Sequence, residues 1–193
     1  MALGAYNVKK SLKEMYSLVE SFPSCRVLPW GLCIGASKVD LYATFISKDP
    51  KILNNYAFEH IRNKEGISKS KLNQIIKFQL QTCEKSKYIK ILEWFDDIEY
   101  LLPRIVNYDK GVVIPSLRWW SGEAGHAIVI TKFNDKEVSY NNPNNSDLDK
   151  SFEKESNIYN PMSKKDFMKR WLDKEFGCQL LIISDNDLKL KVD

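Results

Sequence analysis

An α+β fold is what this sequence predicts: a mainly helical part over residues 1–107 packed on a mainly antiparallel β-sheet over residues 108–193. Three observations lead there. Apolar residues recur at helical spacing through most of the first half. From about Val112 the period shortens, and short β-branched and aromatic runs bounded by turn formers take over. No Pro-, Gly- or Ser-rich linker separates the two parts, so the 193 residues are read as a single domain large enough for a sizeable core.

The elements follow in order. Val8, Leu12, Met15, Tyr16 and Val19 share one helical stripe, which predicts a first helix capped by Asn7 and ended before Ser21–Pro23. After the loop SFPSCRVLPWG, a second helical pattern starts at about Cys33. It carries Ile34, Leu41 and Phe45 on one stripe with Val39, Tyr42 and Ile46 beside it. Asp49–Pro50 stops it, because the residue before a proline is pushed out of the helical region.

Asn54–Lys64 reads as a helix closed by Gly66, and SKSKLNQIIKFQL as a stronger one capped by Ser68 or Ser70. Tyr88–Leu92 reads as a strand and Asp96–Val106 as a short helix. Strands then cover Val112–Ile114, His126–Phe133 and Lys136–Tyr140, the last two joined by an Asn134-Asp135 hairpin turn. The stretch NNPNNSDLDKSFEKESN is polar and turn-rich, a long surface loop. Ser163 to Asp166 begins a last helix that buries Phe167, Met168, Trp171 and Leu172 and stops at Gly177, and CQLLIIS is a final buried strand.

Composition removes several function classes. With 44% hydrophobic and 28% charged residues the chain is an ordinary globular one, and no apolar run is long enough to span a bilayer. A net charge of +4, from 29 basic and 25 acidic side chains interspersed along the chain, gives no nucleic-acid stripe. Four cysteines without a C-x-x-C pair and only two histidines predict no metal site, and no disulfide framework either. The N-terminus has no hydrophobic signal core, so the expected location is the cytoplasm, or outside by a route without a cleavable leader.

Three residues form a candidate constellation. Cys33 follows Pro29-Trp30-Gly31 and opens a stretch whose first turn is small, with Gly35, Ala36 and Ser37 after it. A thiol at a helix N-terminus is shifted toward thiolate by the free N–H groups and the macrodipole. His126 starts a strand, and the hairpin turn brings that start beside Asn142 at the end of the next strand. Thiol, imidazole and carboxamide are the parts of a Cys-His-Asn triad, in which His takes the thiol proton and the amide holds the ring in the right tautomer. Singly, each reads more readily as structure: a small buried cysteine, a core or strand-edge histidine, a turn-forming asparagine. Trp119 and Trp120, just before Gly125-His126, are either a wall of the substrate cleft or half-buried loop aromatics, and His60 reads as an exposed helix residue.

The order Cys33-Ile34-Gly35-Ala36, then Gly125-His126-Ala127, then Val138-Ser139-Tyr140-Asn141-Asn142-Pro143, then PMSKKDFMKRW resembles the peptidase C39-like family of the papain-like cysteine peptidases, over about residues 21 to 183. The resemblance implies a papain-like fold and cleavage of a peptide or isopeptide bond through an acyl-enzyme. Cys33 would be the nucleophile, His126 the base and Asn142 its orienting partner. Trp30, Gly125, Trp119 and Trp120 would stand near a peptide or protein substrate, with no metal and no organic cofactor. The family's Gln about six residues ahead of the nucleophile is absent; Val27 stands there, so the Trp30 indole or a backbone amide would have to serve the oxyanion. The alternatives are an acyl or peptidyl transferase on the same fold, and a catalytically weak or silent module that binds a peptide or protein.

Overall fold

The computed structural model of the chain describes residues 5–23, 26–94, 98–107, 109, 111–118, 125–142, 160–173 and 178–190. The first helix, α1 (Leu12–Leu18), begins later than the stripe from Val8 suggested. Its cap is Ser11, whose side chain accepts from the Glu14 N–H while the Glu14 carboxylate accepts from the Ser11 N–H, a reciprocal box that satisfies two helix-end donors. Asn7 sits instead in a left-handed turn at φ 58°.

Helix α2 (Pro29–Ser37) starts at a proline, whose missing N–H costs nothing in the first turn. It is shorter than the sequence pattern predicted. The chain turns through Asp40, at φ 59°, and returns as strand β1 (Tyr42–Ser47). YATFIS is buried on both faces, so it lacks the alternation that marks a half-exposed strand, and its apolar run continued the helical stripe in register.

The middle of the chain follows its own signals. Helix α3 (Asn55–Glu65) is capped by Asn54, and Gly66 closes it at φ 63°, a conformation open to glycine at no steric cost. Helix α4 (Lys69–Lys85) is capped by Ser68. Strand β2 (Ile89–Glu93) and helix α5 (Ile98–Asn107) lie within two residues of their predicted bounds. Strand β3 (Val112–Arg118) runs longer than expected. The strand predicted over 126–133 is recorded as β4 (Gly125–Ala127) and β5 (Val129–Phe133), and β6 (Glu137–Asn141) follows a turn in which the Asn134 side chain accepts from the N–H groups of Lys136 and Glu137. A short strand without a sequence signal, β7 (Asn160–Ser163), leads into α6 (Lys164–Trp171), capped by Ser163, and β8 (Gln179–Ser184) ends the sheet. Residues 143–159, most of the predicted surface loop, and Gly177 lie outside the described residues.

The eight strands form one sheet in the order β2-β1-β8-β3-β5-β6-β7, with β4 paired to β3. It is mixed, not purely antiparallel, because β1 and β2 run parallel. The sheet also does not belong to the second half alone, since both of those strands come from the predicted helical part. Alternation along β8 shows the layering: Leu181 and Ile183 join an apolar cluster with α2, α3 and α4, while Leu180 and Ile182 join a second cluster with α5 and α6 on the opposite face. Helices therefore cover both faces.

Close approach of α1 to α2 uses two glycines one turn apart. A Cβ added at Gly31 would lie 2.3 Å from the Val19 carbonyl oxygen, and one at Gly35 would lie 2.6 Å from Val19 Cγ1. The space over Gly31 and Gly35 is thus filled by Val19, the C-cap residue of α1. A backbone oxygen cannot swing aside as a side chain can, so Gly31→Ala is expected to cost about 1–3 kcal/mol of stability. The urea midpoint checks this; an unchanged midpoint would show that the helices slide apart freely.

Candidate active site

His126 and Asn142 meet. In the β5–β6 ladder Val129 faces Asn141, so one further step puts Asn142 opposite Ile128, and His126 lies two residues along on the same face. The imidazole Nε2 stands 2.8 Å from Asn142 Oδ1. Asn142 is buried, at 4% exposure, and His126 is half-buried. An amide oxygen only accepts, so Nε2 carries the proton in this pair and Nδ1 is the basic nitrogen of the neutral ring. That is the tautomer control a base of this kind needs.

Cys33 is not where the sequence suggested. Leu28 is the N-cap of α2 and Pro29 its first residue, which makes Cys33 the fifth residue of the helix and moves it off the exposed N–H groups of the first turn. Its exposure is 0%, and it packs among Leu28, Trp30, Ile34 and Cys83 in the cluster beneath α4. Burial pushes its thiol well above the ordinary range, and neighbouring Cys83 adds to the effect. A dry apolar setting suppresses the thiolate that the dipole argument was meant to favour.

Trp30 is also displaced from its expected role. It is 1% exposed, and its Nε1–H donates to the Pro50 carbonyl at 2.9 Å, so the indole is spent on holding the loop after β1 and neither faces a substrate nor offers a donor to an oxyanion. Gly125 pairs with Arg118 at the start of β4, directly beside His126. Trp119 and Trp120 lie outside the described residues, as does Cys25.

A cavity of about 450 Å³ opens between α2, α3 and the sheet. Ala127, next to His126, shares its wall with Arg26 and Val27 from the loop ahead of α2. Ser116 faces both Ala127 and Gln179 across the strands, so Ala127, Ser116 and Gln179 form one row along that wall. Alternation sends Ala127 toward the cavity and His126 toward the side of Leu117 and Ile128, so the imidazole lies on the other face of the sheet from the cavity lining. His60, read from sequence as an exposed helix residue, is half-buried on the cavity's far side and stacks on Tyr56 with ring centroids 5.9 Å apart. Burial, then Arg26 and Lys64, hold its pKa below the usual histidine value. Sequence gave no sign of Gln179 or Ser116, since each is a polar residue inside an otherwise apolar strand.

Every described cysteine is buried with its thiol raised: Cys33, Cys178 and Cys83, the last pushed up to about 12, chiefly by burial. The folded chain therefore keeps a proton on Cys83 above pH 9.0, the ordinary value, where an unfolded chain releases it. The stability this contributes is complete below pH 9 and is lost as pH rises toward 12. Denaturation midpoints are expected to fall over that window, and less steeply in Cys83→Ala; parallel curves for the two proteins would refute the assignment.

Among the described residues no group of His, Cys, Asp and Glu could hold a metal ion, and no helix is long and apolar enough to cross a membrane. No family model matches the chain, and neither a curated protein nor a solved structure is significantly similar to it.

Proposed function

We propose that the chain is a papain-like thiol hydrolase, or an acyl or peptidyl transferase on the same fold, that acts on a peptide or amide bond, with His126 as base and Asn142 as the residue that orients it. The observation that carries this reading is the 2.8 Å contact between His126 Nε2 and Asn142 Oδ1, which fixes the tautomer a general base requires. Nδ1 would take the proton of a cysteine, the thiolate would attack the acyl carbon, and the imidazolium would return the proton to the leaving group. Water or an amine would then release the acyl group from sulfur.

The thiol is assigned to Cys25 in place of Cys33. Three of the four cysteines are buried with suppressed ionisation. Cys25 is the remaining cysteine, and it lies outside the described residues.

Timed alkylation of the native protein with iodoacetamide, mapped by mass spectrometry from pH 5 to 9, tests the reading. Cys25 is expected to react first and to keep reacting below pH 7, where an isolated thiol does not. Faster labelling of Cys33 would move the nucleophile back to α2. A Cys25 no more reactive than a free peptide thiol would leave a silent binding module, the reading that the missing Gln and the spent Trp30 indole favour.

A further inference from the structure

The cavity between α2, α3 and the sheet has a definite chemical character. Leu32, Phe45, Ile61, Ile114 and Leu181 make its walls mainly hydrocarbon, and its volume of about 450 Å³ lies in the range of small-ligand sites. Several of the polar groups that reach it are already engaged. The Asn54 side-chain oxygen caps α3 by accepting from the Ala57 N–H at 2.7 Å. Arg26 is the one strong charge in the described lining, and the buried Glu65 carboxylate answers it, with Oε1 3.8 Å from Nη1. Burial, then the cations of Arg26 and Lys64, disfavours a proton on His60, whose ring lies nearly parallel to Tyr56 at an interplanar angle of 14°.

Gln179 differs. Its side chain is half-buried on the cavity wall, and the 3.1 Å bond from the Trp171 indole ends on its backbone carbonyl. Among the described residues its carboxamide makes no hydrogen bond. The strand row fixes where that group sits: Gln179 pairs with Ser116 and shares the sheet face of Leu181 and Ile114.

We propose that this cavity binds an uncharged, mainly hydrocarbon molecule that carries a carboxamide or lactam edge, and that Gln179 pairs with that edge. A carboxamide presents a donor and an acceptor side by side, and another amide satisfies both at once through two antiparallel N–H···O bonds. The walls reward burial of the hydrocarbon body. A carboxylate or an ammonium would find no free charge to meet it, since Arg26 faces Glu65 and His60 is held neutral, and it would lose its water without return. The His126 imidazole lies on the other face of the sheet, so this ligand is not the substrate of the proposed thiol reaction and its binding goes beyond that reading.

Equilibrium dialysis of the full chain against 2-naphthamide, 2-naphthoate and 2-naphthylmethylammonium tests the proposal. Saturable binding of the amide at least about tenfold tighter than of either ion is expected, the size of one unmet hydrogen bond to a charged group. Gln179→Leu keeps a similar volume and removes both bonds, so the amide should bind about tenfold more weakly. Ala127→Phe, at an exposed position on the cavity wall, should abolish binding, and Ala57→Phe on α3 provides a second filled variant if the first folds poorly. Absence of saturable binding, equal affinity for either ion, full affinity in a folded filled variant, or an unweakened Gln179→Leu each overturns the proposal. These variants leave His126, Asn142 and every cysteine in place, so failure here leaves the alkylation result intact, and an unreactive Cys25 leaves the dialysis intact.

Discussion

A chain carrying His126→Ala is expected to acylate its reactive thiol about 100- to 10,000-fold more slowly, the usual contribution of a positioned general base. Two effects combine in that loss. The thiol no longer has an acceptor for its proton, and the imidazolium that would stabilise the thiolate is gone, so the rate should also acquire the pH dependence of an ordinary cysteine near its unperturbed value of about 8.5. Asn142→Ala should give a smaller fall, because the ring remains but either nitrogen can then carry the proton. A p-nitrophenyl ester of a medium-chain acid followed under single-turnover conditions separates acylation from release. Wild-type acylation rates in His126→Ala would remove the base from the mechanism, whatever the fate of the cavity.

The largest stability effect is expected from Trp171→Ala, at about 3–5 kcal/mol. Trp171 is fully buried at the end of α6, where it packs edge-on against Trp94 with ring centroids 5.0 Å apart and lies 5.5 Å from Phe167. Its Nε1–H also donates to the Gln179 carbonyl at 3.1 Å, which ties α6 to the first residue of β8. Truncation removes the ring's dispersion contacts, leaves a void between α6 and the sheet, and frees a carbonyl at the strand's start. Trp171→Phe keeps most of the ring but loses the donor, and about 1–2 kcal/mol of the effect should remain. Urea unfolding of both variants measures the difference; equal losses would mean that the tie to Gln179 counts for more than the volume.

Local signals proved most readable where they act alone. Ser163 caps the helix it was expected to cap and Ser68, one of the two expected candidates, caps α4, because an N-cap needs only a side-chain oxygen and the N–H groups of the first turn after it. The His126–Asn142 contact was legible for a similar reason: a hairpin turn at Asn134 sets the register, and register sets the neighbours. What failed depended on burial. YATFIS lies in the sheet interior and shows no alternation, so its strand merged with the preceding helical stripe, and that error placed the helix start at Cys33 instead of Pro29. The proline itself was a usable signal, since a first-turn position tolerates it while a later one does not. The four-residue difference decides whether Cys33 sits on a helix end or inside a core. Cavity residues such as Ser116 and Gln179 had no signal at all, because only the lateral alignment of three strands brings them into one row.

That β8 lies between β1 and β3 has a consequence for how the molecule is made. Strands β1 and β2, formed early from the chain, reach β3 only through β8, so the two parts of the sheet stay apart until residues 179–184 have left the ribosome and slotted in. Such long-range closure is slow compared with helix formation. A nascent chain that has not yet made β8 would thus hold β1 and β2 apart from β3 and the strands beyond it.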